Sequence, residues 1–201
     1  MAWLDGSPHR GVLAHPRPPT TDIERRPDLW MLGSSDYGAQ LAAHLGLPYA
    51  FAYFFMDGQG VEEALQLYRA HYRPSARHPR PHATVCVWAL AADSDTEGQH
   101  HALSRERWRL DRARGRLGPL RQPDELAREG FTPEEVHQLE PMRQRAFVGS
   151  AQTVASRLRQ LAADLQLGWI ASTSGLPSTA STHLVAFDYA PGRRVIAATE
   201  D

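Results

Sequence analysis

The chain has 201 residues, with 22 basic against 23 acidic side chains and a formal charge of −1 with histidine neutral. That length suffices for one domain with a real core, and the balanced charge offers no electrostatic footprint for nucleic acid or an anionic membrane. No apolar run reaches the length of a membrane span, residues 1–10 lack the regions of a signal peptide, and the lone Cys86 cannot form an internal disulfide. A cytoplasmic protein is expected. All 22 basic residues are arginine; with abundant Ala, Pro and Gly, GC-rich coding explains this better than function does.

In chain order, residues 1–27 are poor in pattern: Met1 to Leu4 reads as the end of a helix, and a polar loop punctuated by prolines follows. An apolar run from Leu29 to Leu32 stops at Gly33-Ser34-Ser35. Gly38, Leu41, Ala42 and Leu45 then mark a short helix closed by Gly46, and a second apolar run spans Pro48 to Phe55. This is strand, small-residue turn, helix, strand. Such fully apolar strands predict a parallel sheet covered on both faces. Phe51, Tyr53 and Phe55 alternate, so the second strand should carry them on one face.

Val61, Ala64, Leu65, Tyr68 and Tyr72 lie at helical spacing, and Arg73-Pro74 ends that helix. A proline loop with His78 and His82 leads to a buried strand at Ala83 to Ala92, with Val85, Val87 and Ala89 on one face and Cys86 as a small hydrophobe. Ser94 to Arg114 reads as a strongly charged helix. Residues 115–132 read as a connection, and Thr132-Pro133-Glu134-Glu135 as a capping box that opens a new helix. Ser150 opens another, with Val154, Leu158, Leu161 and Leu165 inward and Gly168 at its end. Trp169 to Thr173 is a short strand. In the tail, Pro177 and a Ser/Thr run are loop-like, and residues 183–190 suit helix or strand equally.

The Gly33-Ser34-Ser35 turn is the best candidate site. It can bring backbone N–H groups and two hydroxyls to a helix N-terminus, where a phosphate binds well, and Gly38 permits close approach on the first turn. An ordinary N-capped helix, with Ser35 or Asp36 as the cap, accounts for the same residues. His100-His101 has no carboxylate or cysteine at metal spacing, and no metal site is expected. Arg105, Arg107, Arg109, Arg112 and Arg114, interspersed with Glu106 and Asp111, read as a solvated face from which one arginine could meet an anion.

The segment GSSDYGAQLAAHLGLPYAFAYFF resembles the fifth-to-sixth strand region of the bacterial luciferase-like flavin monooxygenases. Residues 147–173 resemble that family's V-G-[ST]-x-x-x-V-x-x-x-L helix and last barrel strand. The resemblance covers nearly all of residues 28–174; the tail departs from it. It implies an α/β fold that is part of a TIM (β/α)8 barrel, its C-terminal half. About four parallel strands with helices form one domain over residues 1–201, with a helical insertion at 94–145 that lies over the flavin site. It implies FMN bound at Ser34, Ser35 and Gly38, and a monooxygenase in which reduced FMN, supplied by a separate flavin reductase, uses O2 on a small organic substrate. It identifies no catalytic residue in this chain.

Two other readings stay open: a truncated or non-catalytic relative that binds flavin or a partner subunit, and an unrelated small α/β protein that binds another phosphorylated ligand. A complete barrel needs about 250 residues. The face that lines a closed barrel should therefore need cover, and a homodimer or a partner subunit is expected. Phe51, Tyr53 and Phe55 or their even-numbered neighbours, with Val85 and Val87, are expected on that face.

Overall fold

A computed structural model describes residues 28–174, 183–188 and 196–197. The expected helix end at residues 1–4, the loop before residue 28 and the loop at 175–182 lie outside the described residues. The described residues from Met31 onward form one compact unit.

The first βαβ unit is β1 (Met31–Gly33), α1 (Asp36–Leu45) and β2 (Tyr49–Phe51). Gly46 ends α1 in the left-handed conformation, with its N–H turned back to Ala42 O and Ala43 O. Strand β2 stops at Phe51. The Ala52 N–H still bonds to Gly33 O at 2.8 Å, but the chain then turns into a single helical turn, α2 (Tyr53–Met56). The expected strand through Phe55 is thus too long. Phe51 is fully buried while Phe55 is 54% exposed, so Phe51, Tyr53 and Phe55 share no face.

Helix α3 (Val61–His71) buries Val61, Ala64, Leu65 and Tyr68, as its spacing requires. It leads to β3 (Ala83–Ala92), which has the extent its apolar run predicts. Three helices then follow before the chain returns to the sheet: α4 (Asp95–Ala113), α5 (Pro123–Glu129) and α6 (Pro133–Arg145). The capping box on α6 is present in full, with Thr132 Oγ1 accepting from Glu135 N–H and the Glu135 carboxylate accepting from Thr132 N–H. Short strand β4 (Phe147–Ser150), helix α7 (Ala151–Asp164) and strand β5 (Trp169–Ser174) come next. Helix α7 ends at Asp164, ahead of Gly168, and Gln166 carries the positive φ of 53° that reverses the chain.

Strands β1, β2, β3 and β5 pair in parallel in that order, and β4 pairs with the last four residues of β3. Beyond β5 the sheet turns antiparallel through β6 (His183–Asp188) and β7 (Ile196–Ala197), so the part of the 183–190 segment within the described residues is strand. The α/β fold with about four parallel strands from part of a barrel is the one expected.

In-register partners place Tyr49, Phe51 and Val85 on one face of the sheet. With Val87 and Ala89 they form the main core together with Ala39, Ala42 and Ala43 of α1, Leu65 and Tyr68 of α3, and Val154 and Leu158 of α7. Val85 and Val87 therefore lie under helices, not on the face that was expected to need cover. That opposite face carries Leu32, Ala50, Thr84, Cys86 and Trp88, because side chains alternate along each strand. Among the described residues no helix is long and apolar enough to cross a membrane.

Candidate functional site

Ser34 and Ser35 stand between the C-terminal end of β1 and the start of α1, with Gly38 one turn into the helix. The structure brings all three together. Two glycines face each other here, at a distance where an added Cβ would make ordinary contact. A Cβ on Gly33 would lie 3.4 Å from Gly38 Cα and 3.5 Å from the Tyr49 ring, so strand end and helix start meet backbone to backbone. Tyr49 closes this contact from below. Its hydroxyl lies 3.3 Å from Gly33 O and 3.4 Å from Ser35 O, and burial, with the charge of Asp36 beside it, pushes the phenol up to about 12. It stays protonated and can donate to the turn. The sequence had marked Tyr49 only as one more apolar strand residue.

Ser35 is the N-cap of α1, in extended backbone, yet its side chain makes no capping hydrogen bond. Ser94, Thr132 and Ser150 by contrast cap α4, α6 and α7 with their own hydroxyls at 3.1–3.2 Å. Of the α1 amides, Ala39 N–H is bonded back to Ser35 O at 3.3 Å. The N–H groups of the preceding turn have no intrahelical acceptor. Ser34 is half-buried and Ser35 exposed. Open amides, an uncommitted hydroxyl and a glycine wall make a donor set suited to a phosphate group. Asp36, exposed at the first helical position, works against an anion there.

Because β1, β2 and β3 are parallel, this turn and the start of α4 leave the sheet at the same edge. A cavity of about 620 Å³ lies over the C-terminal half of β3, bounded by Trp88, α4, the end of α6, Val148 of β4 and Arg157 of α7. It does not include Ser34, Ser35 or Gly38.

The arginine run is a solvated face only at Arg112 and Arg114; Arg105, Arg107 and Arg109 are withdrawn from water. Arg107, with only 10% of its side chain exposed, meets Glu135 at 2.8 Å, and Arg114 meets the same carboxylate at 2.7 Å. Those two arginines and the Thr132 N–H hold Glu135 down to about 2. Arg109 grips Asp57 at two points and Arg143 of α6 grips Glu106 at two points. The helix is packed against α5, α6, β3 and β4, so its shielded charges must find partners instead of water. His100 has a partner outside its own helix: its Nε2 lies 2.8 Å from Asp124 Oδ1 of α5, an exposed carboxylate 24 residues away that sequence spacing could not reveal. Among the described residues no group of three His, Cys, Asp or Glu could hold a metal ion. Burial raises the Cys86 thiol, as suits a small hydrophobe.

A parallel α/β sheet whose loops gather an anion-type turn and a cavity at one edge is the arrangement of a (β/α) barrel enzyme. The family described as luciferase-like monooxygenase matches residues 5–166, and this chain belongs to it. It is 35% identical over 159 residues to a luciferase-like monooxygenase of Escherichia coli strain K12, covering 79% of this chain and 46% of that one. It is 34% identical over 99 residues to the N-acetyl-S-alkylcysteine monooxygenase of Bacillus subtilis strain 168, covering 49% of this chain and 28% of that protein. The crystal structure of apo-MsnO8 superposes with a TM-score of 0.71 at 27% identity, over 88% of this chain and 53% of that one. The chain thus spans about half the length of the relatives it matches.

Proposed function

We propose that the protein is a flavin-dependent monooxygenase of the luciferase-like class, acting in the cytoplasm on a small organic substrate. Ser34, Ser35 and Gly38 hold the phosphate of FMN. The observation that carries this is the α1 N-terminus, where the cap residue Ser35 leaves its hydroxyl uncommitted beside amides that have no intrahelical acceptor. Reduced FMN, supplied by a separate reductase, provides the chemistry with O2. The chain's own residues bind and orient. The turn anchors the phosphate, Tyr49 steadies the turn from the core, and the cavity over β3 gives an organic molecule a partly water-free place. The 95–145 helices act as a lid on that place.

FMN and riboflavin titrations test this. FMN should bind more tightly than riboflavin, and Ser35→Asp should weaken FMN by well over tenfold, which is about 1.4 kcal/mol per factor of ten, while sparing riboflavin. Unchanged FMN binding in that variant removes the assignment. The span of about half the length of its relatives favours a second reading, a chain that binds flavin or a partner subunit without turnover, or that works as a homodimer. Turnover with reduced FMN, set beside sedimentation of the same sample, separates the two.

A further inference from the structure

Among the described residues, two arginines line the cavity over β3 without a carboxylate partner: Arg157, which donates to Gln144 O, and Arg105. Arg105, on α4, lays its guanidinium over the Trp88 ring at 4.2 Å from the ring centroid. Its hydrogen bond to Phe54 O is a long one, 3.4 Å. Among the described residues no carboxylate pairs with it. The two acids nearest in the fold are already taken, Glu106 by Arg143 and Asp57 by Arg109, each through two short hydrogen bonds. Burial, reinforced by the neighbouring Arg109 charge and only partly offset at a distance by Asp57 and Glu106, lowers Arg105 to about 10, so it still carries its proton at neutral pH. A desolvated guanidinium without a counter-charge is unfavourable unless an anion joins it.

The rest of the lining says what kind of anion. Trp88, Leu103, Met142, Ala146 and Val148 offer apolar surface, and the volume of about 620 Å³ lies within the range of small-molecule sites. The Arg143–Glu106 pair at the wall is internally neutral, and the remaining charged lining, Glu140 and Arg157, carries one charge of each sign. We propose that this cavity takes an organic monoanion, a carboxylate or sulfonate on a small apolar body, with its acid group on the outward fork of Arg105 and its body against Trp88 and the α4–α6 wall. A guanidinium carries its N–H donors in one rigid plane, the geometry that suits two-point recognition of a planar acid. This rests on the reading of the chain as an oxygenase for an organic substrate, and it makes that substrate an acid.

Calorimetric titration of the full chain with benzoate and with benzamide at pH 7 tests it. Benzoate should bind at least tenfold more tightly than benzamide. Arg105→Met, which keeps an unbranched apolar stem beside Trp88 and removes the guanidinium, should abolish that preference. Arg105→Lys, which keeps a charge but loses the planar fork, should reduce it at least threefold, with far-ultraviolet circular dichroism unchanged; this variant carries the test if Arg105→Met does not fold. Absence of a benzoate preference in the parent, or its persistence in Arg105→Met or Arg105→Lys, overturns the proposal. So does a loss of FMN but not riboflavin affinity in Arg105→Met, because the guanidinium would then serve the flavin phosphate. Ser35→Asp separates this inference from the cofactor assignment. Benzoate preference that survives in that variant supports the acid site whether or not FMN binding has changed, and its loss there counts against an acid site independent of the turn.

Discussion

Asp57 and Arg109 form a two-point ion pair, with both N···O distances at 2.7 Å, that ties the turn after β2 to the middle of α4 across 52 residues of sequence. Both side chains are largely shielded, at 20% and 27% exposure. Together with Glu106–Arg143, this contact makes the placement of the 95–145 helices an electrostatic matter, since α4 buries few large apolar side chains along its 19 residues.

Hydrogen exchange should therefore be faster at the amides of 95–113 than at 85–87, and Asp57→Asn should raise it further in α4 while leaving β3 unchanged. Equal protection in the two segments of the parent protein would count against a lid.

Helix α4 meets β4 at a glycine pair. A Cβ on Gly98 would stand 2.8 Å from both the Cα and the N of Gly149, nearer than real Cβ atoms come to backbone. Gly98→Ala should destabilise the protein by about 1–3 kcal/mol, the usual effect of overpacking, despite the better helix propensity of alanine. A melting temperature equal to or above that of the parent would show that the two elements separate easily.

Glu135 sets an acid limit. Its ordinary value of 4.5 falls to about 2 in the fold, under the charges of Arg107 and Arg114. A depressed carboxyl stabilises the folded state fully above its unfolded value, and that contribution disappears as pH falls from about 4.5 to about 2. Glu135→Gln should lower stability at pH 7 by about 1–3 kcal/mol, and it should flatten the loss of stability over that acid window. Melting curves between pH 2 and pH 7 read both effects. An unchanged acid slope would mean that other carboxylates dominate it.

Asp36 sits at the first position of α1, beside the amides assigned to the FMN phosphate. Asp36→Asn removes a negative charge from that place, and FMN should bind several-fold more tightly, with riboflavin indifferent. Weaker FMN binding would mean that the carboxylate orders the turn more than it repels the ligand.

The sequence alone determined the elements whose signals are local. The ten-residue apolar run at Ala83–Ala92 is β3, the Thr132–Glu135 box opens α6, and the helical spacing of Val61 to Tyr68 is the buried side of α3. Two family-like segments in order were enough to indicate the parallel α/β fold, because such strands are buried on both faces and read as unbroken apolar runs. Ser34, Ser35 and Gly38 were legible as neighbours for the same local reason.

Only the tertiary structure decided the rest. An aromatic run cannot say where a strand ends, so the halt of β2 at Phe51 and the turn of α2 after it went unread. The four-residue β4 and seven-residue α5 are too short for periodicity to announce, and each is held by contacts from elsewhere: β4 by its register on Ala89–Ala92, α5 by packing against α4. The arginine run reads in sequence as a solvated face because charge is cheapest in water. The fold instead packs that helix on four neighbours, and each guanidinium withdrawn from water must then find a carboxylate, a ring or a ligand. Whether Arg105 would be left without a carboxylate, and over which cavity, depends on partners 37 and 52 residues away, and no local pattern carries that information.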